Sequence, residues 1–350
     1  MATYVLIDGL NMFHRAKHVV SGDLDTRVGM SLHITFNAIR KAYKDMKGDH
    51  IVFCLEGRSW RKSHYDQYKA NRAVARLKMS AKEQEEEEVF FEAYNDFSKF
   101  FLEKTNATVL HCPVAEADDL IATWIELHPN DDHVIVSSDS DFVQLVKPNV
   151  KLFNGINGNT YTHEAVYDEK GNRRAFTVDN GGKIKVGAVD PAFVAEDGWT
   201  DYALFLKCVR GDKSDNVFPA YPGARIKGTK NKTGILEAYN DRENGGYNWN
   251  NFMLQRWEDA DGNMRLVKEE YEKNCSVIDL TAQPEEYKTQ FVEAIIGEVV
   301  KDRVSSVGIH FLKFCAKWDL KRISQYPDDY ANILNAAYDG HLIELHKEEA

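Results

Sequence analysis

Nine acidic residues of this sequence follow predicted strands or open predicted helices and turns. They are Asp8, Glu56, Glu116, Asp118, Asp119, Asp139, Asp141, Asp212 and Asp215. Asp139 and Asp141 are two residues apart, so an extended backbone would point both side chains the same way. Asp212 and Asp215 are three apart, so one helical turn would do the same. Crowded carboxylates repel one another, and divalent cations are the usual compensation.

This acid pattern predicts a metal site able to hydrolyse a phosphodiester. Two divalent ions about 4 Å apart would activate a water and stabilise the leaving oxygen. Mg²⁺ fits because a few carboxylates hold it and it keeps most of its waters. For any single acid the alternative is a helix N-cap or a solvated turn, and for Asp131 and Asp132 we favour that alternative. Ser137 and Ser138 lack a histidine partner, so a serine nucleophile is not supported.

The segment from Arg58 to Lys78 is basic. It carries one acid, Asp66, against seven cations: Arg58, Arg61, Lys62, Lys69, Arg72, Arg76 and Lys78. Aromatic residues are interleaved, namely Trp60, Tyr65 and Tyr68. This mixture is typical of surfaces that follow a phosphate backbone and stack bases, although a solvated helix face is the alternative. A second basic loop contains Arg225, Lys227, Lys230 and Lys232, for which a solvated loop is an equal alternative.

Short apolar runs predict four strands: 4–7, 51–55, 109–112 and 133–136. Helical spacing of apolar residues predicts helices at about 31–46, 89–101 and 120–127. Strands that alternate with helices indicate a three-layer α/β domain with a mostly parallel sheet, whose ligand site lies at the carboxyl ends of the strands. Turn signals from Asn154 to Gly187 predict β-hairpins, and the chain from Pro191 onward is predicted to be mainly helical.

Composition excludes several classes of protein. The chain has 350 residues and 43% apolar residues, enough for a sizeable core. Its net charge of −11 alone argues against nucleic acid, but a large acid cluster would account for much of it. The five cysteines form no CxxC pair, so we expect reduced packing residues rather than a zinc site. No signal peptide or membrane span is expected, and His14, His18, His64 and His111 lack ligand spacing.

Five motifs together resemble the 5′ nuclease family, which includes flap endonucleases, the 5′ nuclease domain of bacterial DNA polymerase I and bacteriophage 5′→3′ exonucleases such as phage RNase H. The phage members are the most similar. The motifs are LIDGLN at 6–11, WRKSHYDQYKANR at 60–72, EADD at 116–119, SDSDFVQLV at 138–146 and GDKSDN at 211–216. They follow the family's order over residues 4–239.

The resemblance implies a PIN-like core at residues 1–190, with a helical arch at about 58–100 and a hairpin insertion at about 154–187. It also implies a helical duplex-binding domain at 191–350 that contains a helix–three-turn–helix element. Asp8, Glu56, Glu116 and Asp118 or Asp119 would hold the first metal ion. Asp139, Asp141, Asp212 and Asp215 would hold or orient the second.

The same resemblance gives roles to the arch base. Lys69 would contact the scissile phosphate, Arg72 a phosphate, and Tyr68 would stack on the terminal base. The other cations expected to contact nucleic acid are Arg58, Arg61, Lys62, Arg76, Lys78, Lys213, Arg225, Lys227, Lys230 and Lys232. Mn²⁺ is expected to substitute for Mg²⁺, and a K⁺ ion is a further expectation in the C-terminal domain.

Three features depart from the family pattern. Glu56 stands where most members have the shorter aspartate. The glycine-rich turn after GDKSDN is replaced by Pro219-Ala220-Tyr221-Pro222-Gly223 and a longer basic loop, which puts the duplex grip and the K⁺ site in question. Residues 154–187 have no clear counterpart.

The hypothesis is therefore a two-metal 5′ nuclease acting on DNA or RNA–DNA hybrid with a 5′ end or flap, which removes RNA primers during replication. It would be a cytoplasmic monomer, in the host cytoplasm if phage-encoded, and would work beside replication proteins such as single-strand binding protein. One rival is a haloacid-dehalogenase-like phosphatase, but Leu10 stands where its second aspartate would be needed. The other is a non-catalytic scaffold of the same fold, in which acids would be missing.

Overall fold

The computed structural model describes residues 1–187 and 198–342. Its strands are β1 (Thr3–Asp8), β2 (His50–Cys54), β3 (Thr108–Leu110), β4 (Asp132–Val136), β5 (Val150–Phe153), β6 (Thr160–Tyr161), β7 (Val166–Tyr167), β8 (Arg173–Arg174), β9 (Phe176–Val178), β10 (Ile184–Val186), β11 (Arg256–Glu258) and β12 (Met264–Leu266).

Helices occur throughout the described part of the chain. They are α1 (Gly9–Val19), α2 (Leu24–Asp45), α3 (Arg61–His64), α4 (Ala70–Leu77), α5 (Ala81–Lys104), α6 (Ala117–Leu127), α7 (Trp199–Arg210), α8 (Ile235–Asp241), α9 (Tyr247–Met253), α10 (Val267–Ile278), α11 (Glu285–Val299), α12 (Val307–Lys317), α13 (Lys321–Ser324) and α14 (Pro327–Asn335). A short 3₁₀ helix spans Ser140–Leu145.

The central sheet has the strand order β3-β2-β1-β4-β5-β6-β7-β8. Strands β1 to β5 pair in parallel, and β6 and β7 continue the sheet antiparallel. The predicted α/β class with a mostly parallel sheet is confirmed. The turn-rich stretch after β5 forms antiparallel pairs as well, because β9 pairs with β10 in a separate two-stranded sheet. The pair β11–β12 was not predicted from the sequence.

Strand register brings three strand ends to one edge of the sheet. Strand β1 lies between β2 and β4, with Val5, Leu6 and Ile7 fully buried, which explains its continuous apolar run. In the ladders Asp8 is opposite Cys54, and Ile7 is opposite Val136. Residues that directly follow β1, β2 and β4 therefore emerge side by side, where an open α/β sheet binds ligands.

The chain divides into two compact units. The first comprises Met1–Ser59, Met79–Arg173 and Pro284–Ala350, and the second comprises Trp60–Lys78 and Arg174–Gln283. The domain boundary expected at residues 190/191 lies outside the described residues. The expected C-terminal helical domain differs from these units, since α11 to α14 belong to the first unit. The segment expected to be an arch is likewise divided between them.

The first unit has one large apolar core on the α2–α5 side of its sheet. Helix α2 begins at the N-cap Asp23, whose side chain accepts a hydrogen bond from Thr26 N at 2.8 Å, and buries Leu32 and Phe36. Helix α5 begins with a Ser80–Glu83 capping box, and the acidic residues 85–88 follow in its first turns. Helices α12 and α14 pack on α5 and α2 respectively. No helix among the described residues is long and apolar enough to cross a bilayer.

Candidate active site

Asp8 is the last residue of β1 and is only 5% exposed. Ser137, directly after β4, donates its hydroxyl to Asp8 Oδ2 at 2.7 Å and accepts Asp139 N at 3.0 Å. Asn11 in α1 binds the next residue, because its Oδ1 accepts both the backbone N and the Oγ of Ser138 at 3.1 and 2.7 Å. These contacts hold the turn after β4 against the end of β1.

Asp139 and Asp141 do not lie on one extended strand, so that expectation was wrong. Asp139 is the N-cap of the 3₁₀ helix, and its Oδ1 accepts Asp141 N at 3.0 Å. Asp141 lies in the first turn of this helix. The short polar side chain of Asp139 competes for a backbone N–H and so starts a turn at this point.

Glu56 reaches the start of α6 because Gly57 allows two backbone segments to touch. A Cβ atom at Gly57 would lie 2.2 Å from the carbonyl oxygen of Cys112, which no side chain could accommodate. Gly57 N donates to Ala115 O at 2.8 Å. The exposed Glu56 then accepts a hydrogen bond from Ala117 N at 3.3 Å through Oε2.

The three acids at the start of α6 differ in their surroundings. Glu116 is 6% exposed and accepts the hydroxyl of Ser59 at 2.8 Å. Asp119 is fully buried, and its Oδ2 accepts Glu116 N at 3.0 Å, which is the geometry of a helix cap. Asp118 is half-buried between them in the sequence. Because the Asp119 carboxylate caps the helix, Asp118 is better placed than Asp119 to offer a carboxylate to a ligand.

Asp8 and Glu56 both influence the pKa of two neighbouring side chains, Cys54 and Tyr94. Burial first, and then the charges of Asp8 and Glu56, raise the pKa of the Cys54 thiol well above its usual range. Burial also raises the pKa of the Tyr94 hydroxyl, and both carboxylates add to the rise. Two carboxylates that influence one thiol and one phenol lie at the same end of the sheet, as the strand register requires.

The donor chemistry of this edge fits a hard divalent cation. Its carboxylate, hydroxyl and amide oxygens are the ligands that Mg²⁺ prefers, and the neighbouring Cys54 thiol is fully buried. Over residues 1–187 and 198–342, no three His, Cys, Asp or Glu side chains are gathered closely enough to form a finished ligand set.

In the second unit, Asp212 and Asp215 lie in a turn and not in a helix, which corrects the sequence-based expectation. The turn is closed by paired backbone hydrogen bonds between Asp212 and Val217, at 2.9 and 2.8 Å. Gly211 precedes it with φ +71°, and a Cβ there would lie 2.3 Å from Val217 O. The glycine is therefore required where α7 meets this turn.

Asp212 forms a buried ion pair with Lys207, which projects from α7. Their Nζ and Oδ2 atoms are 3.1 Å apart, and the two side chains are 5% and 4% exposed. Ser214 N also donates to Asp212, at 2.7 Å. Burial alone would raise the pKa of Asp212, but Lys207 and Ser214 outweigh it and lower the pKa to about 2.

We expect the Asp212–Lys207 pair to make stability depend on acidity. Because its pKa falls from 3.8 to about 2 on folding, Asp212 contributes about 2 kcal/mol above pH 4, which is lost as the pH falls through about 2. The excess unfolding free energy of the wild type over Asp212→Asn should therefore shrink between pH 5 and pH 2, measured by urea denaturation. The exposed Asp66→Asn variant is the control, and a gap that stays constant would contradict the assignment.

Asp215 binds the residues expected at the arch base. Arg72 Nη2 lies 2.7 Å from Asp215 Oδ1, Lys69 Nζ lies 3.9 Å from Oδ2, and the Tyr68 hydroxyl donates to Oδ2 at 3.1 Å. Lys69 has a left-handed backbone with φ 54°, and its N–H donates to Asp215 O at 2.8 Å. A lysine rarely adopts this conformation, so the contact with the turn holds it there.

Arg61 and the three aromatic residues of the basic segment, Trp60, Tyr65 and Tyr68, are buried, contrary to the expected contacts with nucleic acid. Arg61 is 1% exposed, donates from Nε to Val277 O at 2.8 Å and lies under the Trp60 ring at 4.9 Å. Tyr68 is 3% exposed and packs in an apolar cluster of the second unit, so its ring is not presented for stacking. The remaining predicted contacts are exposed: Arg58, Lys62, Arg76, Lys78, Lys213, Arg225, Lys227, Lys230 and Lys232.

Arg61→Ala is expected to destabilise the protein rather than to weaken nucleic-acid binding directly. The change removes a buried hydrogen bond from a charged donor and the packing of the side chain, so the free energy of unfolding should fall by about 2–3 kcal/mol. The exposed neighbour Lys62→Ala should leave stability unchanged and lower the salt dependence of DNA binding. Denaturant titration and a binding isotherm of both variants separate these roles; an unchanged stability for Arg61→Ala would refute the buried role.

Comparison with known proteins indicates the family to which this arrangement of residues belongs. Residues 3–171 match the family model of the 5′-3′ exonuclease N-terminal resolvase-like domain. The N-terminal half of the chain belongs to the 5′ nuclease family. It is 26% identical over 281 residues to a 5′-3′ exonuclease of Aquifex aeolicus, covering 77% of this chain and 82% of the relative. It is 28% identical over 168 residues to flap endonuclease Xni of Shewanella loihica, covering 47% and 60%.

Among solved structures, a T5 5′-exonuclease with bound zinc ions is similar in fold. The TM-score is 0.56 at 18% identity, covering 85% of this chain and 99% of that one. The predicted family and fold are thus confirmed, and the 5′ nuclease family is one of phosphodiester hydrolases. The family model matches residues 3–171, which carry Asp8, Glu56 and Asp139. This match removes the haloacid-dehalogenase alternative.

Sequence reasoning missed residues of this 5′ nuclease that hold the acids in place. Ser137 was considered only as a nucleophile, yet it links Asp8 to the turn after β4. Ser59 and Asn11 were not singled out, although each stands three residues after a predicted ligand, Glu56 and Asp8 respectively. Lys207 had a usable signal, because a lysine stands alone within the apolar run of α7 and is 4% exposed.

Proposed function

We propose that this protein is a Mg²⁺-dependent 5′ nuclease that hydrolyses phosphodiesters at 5′ ends or flaps of duplex DNA or RNA–DNA hybrid. The observation that carries the proposal is the row of carboxylates at adjoining strand ends: Asp8 is the last residue of β1, Glu56 follows β2, and Glu116 stands at the start of α6. Relatives named 5′-3′ exonuclease and flap endonuclease support the reaction, and a neighbour with divalent ions supports the cofactor.

Two divalent ions are proposed, and Mn²⁺ should replace Mg²⁺. The ligands proposed for the first are Asp8, Glu56, Glu116 and Asp118, with Asp119 as a cap that fixes the start of α6. Asp139 and Asp141 are proposed for the second, and the resemblance assigns Asp212 and Asp215 to it as well. When bound, such ions supply an activated water and stabilise charge on the leaving oxygen. A K⁺ site in the second unit remains a proposal from the resemblance.

The chain's own residues would orient these groups. Ser137 would fix the orientation of the Asp8 carboxylate, because its hydroxyl donates to Asp8 Oδ2. Ser59 does the same for Glu116. Lys69 and Arg72 would bind phosphate oxygens, since Asp215 now accepts a charge-assisted hydrogen bond from Arg72 and forms a longer ion pair with Lys69. Tyr68 would act by positioning Asp215, since its hydroxyl donates to that carboxylate.

Exposed cations are proposed to contact the nucleic-acid backbone without reading its sequence. In the second unit the loop containing Arg225, Lys227, Lys230 and Lys232 is tied to α8, because Glu237 accepts the N–H groups of Gly228 and Gly234 at 3.0 Å. An ordered loop loses less conformational entropy on binding than a disordered one. This supports a duplex-binding role for the segment between α7 and α8.

In the cell the proposed role is removal of RNA primers during replication. The protein would act as a monomer in the cytoplasm, that of the host if it is phage-encoded. DNA is the proposed partner, together with replication proteins such as single-strand binding protein.

The deciding experiment uses a labelled duplex with a 5′ flap. Cleavage in Mg²⁺, its loss in EDTA and its return with Mn²⁺ are expected. A matched substrate whose flap is RNA distinguishes strand preference. Binding without cleavage in Mg²⁺ and in Mn²⁺ would favour the non-catalytic scaffold and overturn the proposal.

A further inference from the structure

A cavity of about 540 Å³ lies within the second unit, beside the end of α7. The turn of the β9–β10 hairpin forms one wall with Asp179 and Lys183, and Arg210, Asp212 and Lys213 form the other. The hairpin lies beyond the residues that match the 5′-3′ exonuclease family model. This cavity is therefore built partly by a segment that the proposed reaction has not used.

The hairpin is held firmly against α7. Gly182, in its turn, has φ +81°, and a Cβ there would lie 2.6 Å from the carbonyl oxygen of Ala203. The rings of Phe176 and Trp199 pack with centroids 4.8 Å apart. Lys183 follows Gly182 directly, so these contacts fix the backbone that carries it at the cavity wall.

The cavity has an excess of uncompensated positive charge. Asp212 is neutralised by Lys207, and Asp179 accepts Gly181 N and Lys183 N at 2.9 and 3.0 Å and lies 3.5 Å from Lys185 Nζ. Lys183, Lys213 and Arg210 form no ion pair with other residues of the described ranges. Within those ranges Arg210 Nε is buried without a hydrogen-bond partner.

We propose that this cavity binds a phosphate group of the nucleic-acid backbone, with Arg210 as the principal donor and Lys183 and Lys213 beside it. An arginine fork matches the paired oxygens of a phosphodiester, and two flanking lysines add charge without demanding a fixed geometry. The inference rests on the proposed function, because it gives the β9–β10 hairpin a part in holding the substrate of that reaction. It adds one backbone contact beside the turn that carries Asp212.

The test compares Arg210→Gln and Lys183→Gln with Lys268→Gln, an exposed cation of α10 that pairs with Glu272 and does not line the cavity. Binding of a fluorescent 5′-flap duplex is measured in EDTA from 50 to 200 mM salt, and thermal melting verifies folding. Each cavity variant should reduce the salt slope by about 0.9 for a lost duplex phosphate contact, whereas Lys268→Gln should not. Lys183 is exposed, so its replacement keeps the test valid even if Arg210→Gln fails to fold.

A second arm separates backbone phosphate from free phosphate. Inorganic phosphate is titrated against wild type and variants while melting is followed. If phosphate raises melting only in proteins with Arg210 but the DNA salt slopes are all equal, the site serves a free anion and the proposal fails. Equal slopes with no effect of phosphate overturn it as well. Neither result depends on cleavage, so failure of the proposed nuclease activity would be seen separately.

Discussion

Asp8→Asn is expected to lower the rate of Mg²⁺-dependent cleavage about a thousandfold, corresponding to about 4 kcal/mol of lost transition-state stabilisation. Asparagine keeps the shape of the side chain, and its amide oxygen can still accept the hydroxyl that Ser137 donates at 2.7 Å. What is lost is a negative charge in a site that is 5% exposed, where charge is poorly screened. Removing one of several neighbouring carboxylates also relieves repulsion, so stability should not fall.

Single-turnover cleavage of the flap substrate and equilibrium binding in EDTA measure the two effects of Asp8→Asn. Asp45→Asn at the exposed end of α2 is the matched control and should behave as wild type. Asp139→Asn should also abolish cleavage while leaving DNA binding largely intact, because asparagine is an equally good N-cap for the 3₁₀ helix. Full activity in either variant would mean that the metal-ligand assignment is wrong.

Lys69→Ala is expected to slow the chemical step by about a hundredfold and to weaken DNA binding far less. A cation that contacts the scissile phosphate stabilises charge that develops in the transition state, and loss of one such group costs roughly that factor. Single-turnover rates at saturating enzyme separate chemistry from affinity. Lys78→Ala, an exposed cation at the end of α4, is the control for loss of charge alone.

The contact between Lys69 and Asp215 makes a double-mutant cycle informative. Lys69→Ala, Asp215→Asn and the double variant should be non-additive in rate, since Nζ and Oδ2 are 3.9 Å apart and share Arg72 as a neighbour. Lys69→Arg tests whether charge alone suffices. An equal loss of rate and of binding in Lys69→Ala would reduce this residue to an ordinary phosphate contact.

The sequence alone predicted the elements that depend on residues close together in the chain. The run Tyr4–Ile7 is apolar because β1 has a neighbour on each side, and this required no knowledge of distant contacts. The sequence also shows the glycine that follows Glu56. The reason that a glycine is needed there, a close approach to Cys112 O, is visible only in three dimensions. The acids follow strands, so the register of parallel pairing places them together.

Other features depend on side chains far apart in the sequence and could not be predicted from it. The spacing of Asp139 and Asp141 is compatible with a strand or a tight turn, and the capping hydrogen bond decides for the turn. Arg61 resembles the exposed cations around it, yet Val277 O, 216 residues away, accepts its Nε–H. The two compact units interleave along the chain. The basic segment Arg58–Lys78 largely coincides with one piece of the second unit, but its grouping with 174–283 depends on contacts distant in the sequence.

The first unit is built from three separate stretches of the chain, and this has a consequence for its folding during synthesis. Phe36 and Phe97 pack in one core with Phe311 and Phe314, and Asp329 binds Arg40 and Lys44. A ribosome must therefore synthesise residues up to this point before the unit can close over its sheet. The second unit can form earlier from 174–283, but it also requires residues 60–78. Nascent chains should consequently expose the aromatic face of α2 and α5 for longest, which makes that face the natural target of chaperones during translation.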